Sequence, residues 1–258
     1  IRNIGLLHAF YLNDFENAIK TMELAIKAGQ QNKLFVDKCK LDLGDIYLLQ
    51  GEPWEATLVY SQVEKSQKDD LLGYEAKLKN AKLHYFMGEF ELSKALLDIL
   101  KKATSREIAN DANELSLKIM DNTGLDSTEL AMKSFAHVEV LVFQNKFKEA
   151  IDSLKMLNQK YVKHSLSDEI LWQMANTYVK LDSTQNAIQA LDKLKSEYGT
   201  DILGDDASFM LAKIYEEKLK DKAMAMKLYE EIMEKYPGSI YVVEARKRYR
   251  LLRGDVVN

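Results

Sequence analysis

The sequence contains little of what most non-helical folds require. Its 258 residues include 1 cysteine, 2 prolines and 11 glycines. The single cysteine, Cys39, excludes an intrachain disulfide and a cysteine-rich metal site. So few turn-forming residues argue against a many-stranded sandwich or barrel. We therefore expect an all-helical fold.

Extremes of charge and hydropathy are missing as well. The formal net charge is −4 and the isoelectric point is about 5.7, which argue against a protein that neutralises nucleic-acid phosphates. No apolar run approaches the roughly 20 residues that span a bilayer. We expect neither a nucleic-acid partner nor a membrane span.

Catalytic and metal-binding motifs are absent from the sequence. The four histidines, His8, His84, His137 and His164, have no second histidine or cysteine three or four residues away, so zinc ligands at helical spacing are not indicated. There is no glycine-rich phosphate loop after a strand and no Gly-x-Ser-x-Gly. The sequence predicts a protein that is not an enzyme and that holds no cofactor or metal.

A repeat runs through most of the chain. Six similar segments each place a small residue in the same position, and these residues are Ala18, Ala56, Ser93, Ala150, Ala187 and Ala225. The intervals between them are 38, 37, 57, 37 and 38 residues. Apolar positions on both sides of each turn follow helical spacing, so each unit of about 37 residues is predicted to be a pair of antiparallel helices.

The long third interval predicts one extra helix, over about 105–122. After the sixth pair, a terminal helix is predicted from Ser239 to about Leu252, closing the array as a cap. We place two halves at 1–122 and 123–258 in one continuous array, with a possible bend near 122–126. The start at Ile1, not Met, indicates a processed or excised chain, with more repeats or another chain expected before it.

The repeat resembles the tetratricopeptide repeat family. Its pattern of Leu-Gly-x-x-Tyr followed by Ala-x-x-x-Phe is matched by Leu43, Gly44, Tyr47, Ala56 and Tyr60. The resemblance implies a right-handed helical solenoid of about six pairs and a protein-binding role. A weaker resemblance, to repeat lipoproteins of the bacterial cell envelope associated with barrel assembly and the Tol-Pal system, favours a periplasmic or envelope location.

In that family the first helix of each pair lines a concave groove through its second, fifth, ninth, twelfth and thirteenth positions. We call these helices inner helices and the last four positions places five, nine, twelve and thirteen. The groove residues predicted in this way are Phe135, Trp172, Phe209, Asn176, Lys213, Phe143, Tyr85, Phe86 and Lys82.

These residues favour an apolar partner segment. Place five is never basic, so the donors that would clamp a terminal carboxylate are missing. The aromatic row Phe135, Trp172 and Phe209 suits an extended or helical peptide, although such rings also pack in cores. The sequence therefore predicts a non-catalytic scaffold for a peptide or protein segment. The alternative is a self-assembling component or accessory subunit of an envelope complex.

The terminal helix combines two kinds of residue. We predict Val242, Val243, Ala245, Tyr249 and Leu252 on a core side, with Arg246, Lys247, Arg248, Arg250 and Arg253 mostly on the other side. The cations indicate either a solvated helix face or contact with an anionic lipid, a nucleic acid or an acidic partner.

Overall fold

The computed structural model describes residues 1–102, 105–124 and 128–255, and over these ranges it contains helices and no strand. The chain forms two compact units, unit 1 at Ile1–Asn145 and unit 2 at Lys146–Asn258. The predicted all-helical class is confirmed. The predicted division after 122 stays a prediction, and the bend near 122–126 lies partly outside the described residues.

The helices of unit 1 are α1 (Arg2–Phe10), α2 (Phe15–Ala28), α3 (Lys33–Gln50), α4 (Pro53–Ser66), α5 (Leu71–Phe86), α6 (Phe90–Leu100), α7 (Arg106–Thr123) and α8 (Leu130–Phe143). Unit 2 contains α9 (Phe147–Lys160), α10 (Ser167–Lys180), α11 (Thr184–Tyr198), α12 (Gly204–Lys213), α13 (Lys222–Lys235) and α14 (Val242–Arg253). The extra helix and the terminal helix occur where the sequence predicts them, as α7 and α14.

The backbone conformation at the turns repeats with the same period as the sequence. Each predicted helix pair turns through one residue with positive φ, and these residues are Asn13, Gly51, Gly88, Asn145, Asp182 and Lys220. Their intervals are again 38, 37, 57, 37 and 38 residues. The six small residues that define the repeat are each 0% exposed, as a close crossing of two helices requires.

The two helices of the pair α3–α4 approach each other closely at Gly44, on α3. A Cβ atom built there would lie 2.2 Å from Cε1 of Tyr60, a ring on α4 that is itself 1% exposed. Only a glycine leaves room for this ring, so the Gly of the repeat pattern has a packing reason.

The last pair contains one more residue in its turn than the pairs that turn at Gly51 and Asp182. In those two turns the amide of the fifth residue after the tyrosine donates to the carbonyl of that tyrosine, from Glu52 to Tyr47 and from Ser183 to Tyr178. In the last pair this bond joins Asp221 to Tyr215, six residues apart. The chain absorbs the extra residue as a π-helical turn, Ile214–Lys218, which continues α12.

Helix α8 crosses the ends of two inner helices of unit 1. Near its start, a Cβ built on Gly88, after α5, would be 3.0 Å from Cγ of Lys133. Beyond its end, Gln144 Nε2 donates to the carbonyl of Leu48, on α3, at 3.1 Å. Helix α7 packs on α6 and also contacts α5, and α8 lies against α5 as well.

Helix α14 packs against α13 at the end of unit 2. Its buried side includes Ala245, which is 0% exposed, and the partly buried Tyr249 and Leu252. The predicted core side is wrong at Val243, which is 76% exposed. The helix is rotated so that this valine shares the outer face with the cations.

Candidate functional site

Place five distinguishes the inner helices of the two units. On α3, α5 and α8 of unit 1 its occupants are buried: Leu41 is 3% exposed, Leu78 is 7% and Phe135 is 1%. In unit 2 its occupants, Trp172 and Phe209, are both partly exposed. Phe135 is therefore a core residue, as the alternative reading of the aromatic row allowed. The rings of Trp172 and Phe209 keep a surface that a ligand can contact.

Place nine on α3, α5 and α8 is occupied by charges that are already paired. Asp45 accepts from the hydroxyl of Tyr60 at 2.6 Å and from Lys79 Nζ at 2.9 Å. The predicted groove residue Lys82 pairs with Asp111 at 3.1 Å. These charges join neighbouring helices of unit 1, so a ligand would have to compete for them.

The third place-nine residue, Glu139 on α8, joins three helices. It accepts from the hydroxyl of Tyr85, and Lys118 of α7 lies 3.1 Å from its other oxygen. Tyr85, predicted to line the groove, is 1% exposed. A buried hydroxyl needs such a partner, and the carboxylate supplies it.

The remaining aromatic residues predicted for unit 1 lie together where the end of α8 meets α5. The rings of Phe86 and Phe143 are 6.5 Å apart, and both rings pack against the cluster that contains Tyr60. The structure thus brings together Phe143, Tyr85 and Phe86, but as contacts between α8 and α5.

The site in unit 2 begins with Trp172 and Asn176 on α10. The amide nitrogen of Asn176 donates to the backbone carbonyl of Trp172, one turn earlier, at 2.9 Å. This bond fixes the orientation of the Asn176 side chain. Its amide oxygen then remains available as an acceptor beside the partly exposed indole.

Phe209 and Lys213 occupy the equivalent places on α12, and α11 packs against both α10 and α12. Lys213 is partly exposed and makes no ion pair with any residue in the described ranges. One face of Phe209 is covered, because the ring of Tyr241 stacks on it at 4.4 Å between centroids and 12° between planes. The hydroxyl of Tyr241 donates to Asp206 at 2.5 Å, which holds the stack in place.

A cluster of charges lies at the end of α12 and was not predicted. Arg248 of α14 lies 2.9 Å from Glu216, 2.8 Å from Glu217 and 2.8 Å from Glu244. Burial lowers the pKa of Arg248, but its hydrogen bonds to these carboxylates outweigh burial and keep the pKa above its usual range. Burial, together with the bond to Glu216, raises the pKa of Tyr229. The cluster anchors α14 and carries no apparent chemistry of its own.

Neither a metal site nor a membrane span is found in the described part of the chain. No three side chains of His, Cys, Asp or Glu approach one another as metal ligands would. Among the same residues, no helix combines the length and the hydropathy needed to cross a bilayer.

Residues 169–200 and 206–239 match the family model of the tetratricopeptide repeat. Both segments lie in unit 2, so the family predicted from the sequence is confirmed on the helices that carry Trp172 and Phe209. No curated protein matches the chain.

Two solved structures are similar over nearly all of this chain. The TPR domain of P58(IPK) shares 15% identity at a TM-score of 0.37, over 97% of this chain and 76% of its own. Residues 1–338 of Acl4, an assembly chaperone of RpL4, share 17% identity at a TM-score of 0.35, over 98% and 95%.

Proposed function

We propose that this tetratricopeptide-repeat chain is a non-catalytic scaffold that binds a peptide or protein segment on the inner helices of unit 2. The observation that carries the proposal is the exposure at place five, which is partial at Trp172 and Phe209 and almost nil at Leu41, Leu78 and Phe135. Aromatic residues that keep exposed surface on a rigid helix are the usual anchors of binding energy.

The polar residues beside these rings define the segment that would fit. Asn176 offers an amide oxygen to a peptide N–H, and Lys213 offers an ammonium group to a peptide carbonyl or an acidic side chain. We therefore expect a segment with one or two large apolar side chains for Trp172 and Phe209 and a carbonyl or carboxylate near Lys213. Binding of such a peptide should cost little entropy for ordering protein side chains, because Tyr241 and the Asn176 hydrogen bond already fix the site.

The two tryptophans provide a direct test. Peptides are selected from a display library on the intact chain and then titrated against variants that keep a single tryptophan. In Trp54→Phe the remaining fluorophore is Trp172, and its emission should shift on binding. In Trp172→Phe the remaining fluorophore is Trp54, on the outer helix α4 of unit 1, and its emission should not change.

The affinities of alanine variants for the selected peptides then show whether the peptides bind at the proposed site or at another surface. Trp172→Ala should weaken binding by about 2 kcal/mol, roughly thirty-fold. Trp54→Ala is the matched control, because Trp54 is 68% exposed and lies outside the proposed site. If the two substitutions weakened the selected peptides equally, or if only Trp54 responded to them, the proposal would be wrong.

Self-assembly, or an accessory role in an envelope complex, is the second candidate function. It is favoured by the apolar face of α1, where Ile4 is 54% exposed and Leu7 is 50% exposed. On this alternative, mass measured by light scattering should rise with concentration for the wild type but not for Ile4→Ser/Leu7→Ser. A wild-type chain that stays monomeric would exclude self-assembly.

A further inference from the structure

The outer face of α14 has a composition unlike a solvated helix face. Two of its aliphatic residues are among the most exposed in the molecule: Ile240, just before the helix, is 84% exposed and Val243 is 76% exposed. Leu251, two turns further on, is 52% exposed. Val243, Lys247 and Leu251 follow the four-residue spacing that places them on one side of the helix, and Ile240 lies in the turn that leads into it.

Cations occupy the same face between these aliphatic residues. Arg246 and Lys247 are exposed and make no ion pair with any residue that the structure describes. Arg250 and Arg253 flank the far end of the face and both pair with Asp255. The other acid of the helix, Glu244, is engaged by Arg248. The face thus presents positive charge and aliphatic surface together.

We infer that this face docks on the surface of an anionic lipid bilayer. Lysine and arginine near an anionic headgroup layer each add about five-fold to binding, and aliphatic side chains beside them enter the boundary with the acyl chains. The observations favour a bilayer over a peptide, because α14 is packed on one side by α13 and its outer side chains protrude without a groove around them.

The charge of the rest of the chain would orient the docking. Residues 239–258 contain five arginine and lysine residues against Glu244 and Asp255, a formal charge of +3. The whole chain carries −4, so the remaining residues carry −7. An anionic bilayer therefore attracts this end and repels the remainder. The helix is already fixed by the Tyr241–Phe209 stack and by the three bonds of Arg248, so docking needs no folding step.

Co-sedimentation of the 258-residue chain with vesicles tests the inference. Vesicles of phosphatidylcholine with 30% phosphatidylglycerol should bind the chain at least ten-fold more strongly than pure phosphatidylcholine, and added salt should weaken this binding. Arg246→Gln/Lys247→Gln should weaken it by about ten-fold or more, and Ile240→Ser/Val243→Ser should also weaken it severalfold. All four side chains are exposed, so circular dichroism should show that both variants fold.

Matched control variants distinguish binding through the outer face of α14 from nonspecific adsorption to vesicles. Ile202→Ser removes an aliphatic side chain that is 81% exposed elsewhere in unit 2, and Lys222→Gln/Lys227→Gln removes two exposed cations of α13. Neither control should change vesicle binding. Equal binding to neutral vesicles, or loss in the controls as large as in the α14 variants, would overturn the inference. Binding to poly-L-glutamate without binding to vesicles would overturn it in favour of an acidic polypeptide partner.

Discussion

The inner helices of unit 1 and unit 2 carry the same repeat but present different surfaces. In unit 1, α8 crosses α5 and the end of α3, and the charges at place nine are paired with other helices. In unit 2, Trp172 keeps exposed surface and Lys213 has no ion-pair partner in the described ranges. A place in the repeat thus determines which way a side chain points, whereas its accessibility depends on which helix packs next.

The inserted helix α7 explains much of the difference. It packs beside α6 and also contacts α5, and α8 lies on α5 as well. Lys118 of α7 also pairs with Glu139 of α8, so the insertion helps to hold α8 in place. Unit 2 contains no inserted helix, and its terminal helix covers only the Phe209 end of the inner face.

The largest effect should come from removing the place-five ring of α8. Phe135→Ala should lower the free energy of unfolding of unit 1 by about 3–5 kcal/mol, because the ring is 1% exposed and its loss leaves a cavity. Urea unfolding followed by the fluorescence of Trp54, in a Trp172→Phe background, reports unit 1 separately. Trp172→Ala should lower the free energy of unfolding by clearly less, as measured by urea unfolding followed by circular dichroism. Equal losses would remove the contrast between the two inner faces.

A smaller effect is expected at the anchor of α14. Arg248→Ala should destabilise unit 2 by about 1–2 kcal/mol, since three carboxylates lose their shared cation while remaining partly exposed to water. The fluorescence of Trp172 in a Trp54→Phe background follows this unit. Arg246→Ala, which removes an unpaired exposed cation from the same helix, should leave the midpoint of urea unfolding unchanged. No difference between the two variants would show that the cluster does not hold α14.

The smallest effect depends on pH and concerns the ion pair between Lys195 of α11 and Glu231 of α13. Burial by itself raises the pKa of Glu231, but hydrogen bonds from Lys195 and Lys235 outweigh it, so the pKa lies below its ordinary value of 4.5. The stabilisation is therefore complete above about pH 4.5 and is lost as the pH falls through the lower folded-state pKa.

Because Glu231 is partly exposed, the loss should be only about 0.5 kcal/mol. Urea midpoints of unit 2 measured between pH 3 and pH 6 should fall less steeply for Glu231→Gln than for the wild type. Glu230→Gln, at an exposed neighbouring position, is the control. Identical pH profiles for Glu231→Gln and the wild type would show that protonation of Glu231 does not affect the stability of unit 2.

The repeat of about 37 residues, the extra helix and the terminal helix could all be predicted from local patterns. Helical spacing, a small residue at each crossing and a short polar turn depend on residues that are close in sequence. The site could be predicted only in part. The reasoning by places assigned Tyr85 and Phe135 to an open groove, and the structure leaves each of them only 1% exposed. The groove role of the other residues predicted in this way, Asn176 and Lys213 among them, stays a prediction.

The sequence by itself determined the fold class and the places of the helices and turns, because the helical period and the turn residues are local properties of the chain. The tertiary structure decided which faces stay accessible. Phe135 is buried and Trp172 partly exposed at the same place in the repeat, and Val243 lies outside although its spacing placed it inside. The physical reason is that burial depends on helices distant in sequence, whose approach no local pattern specifies.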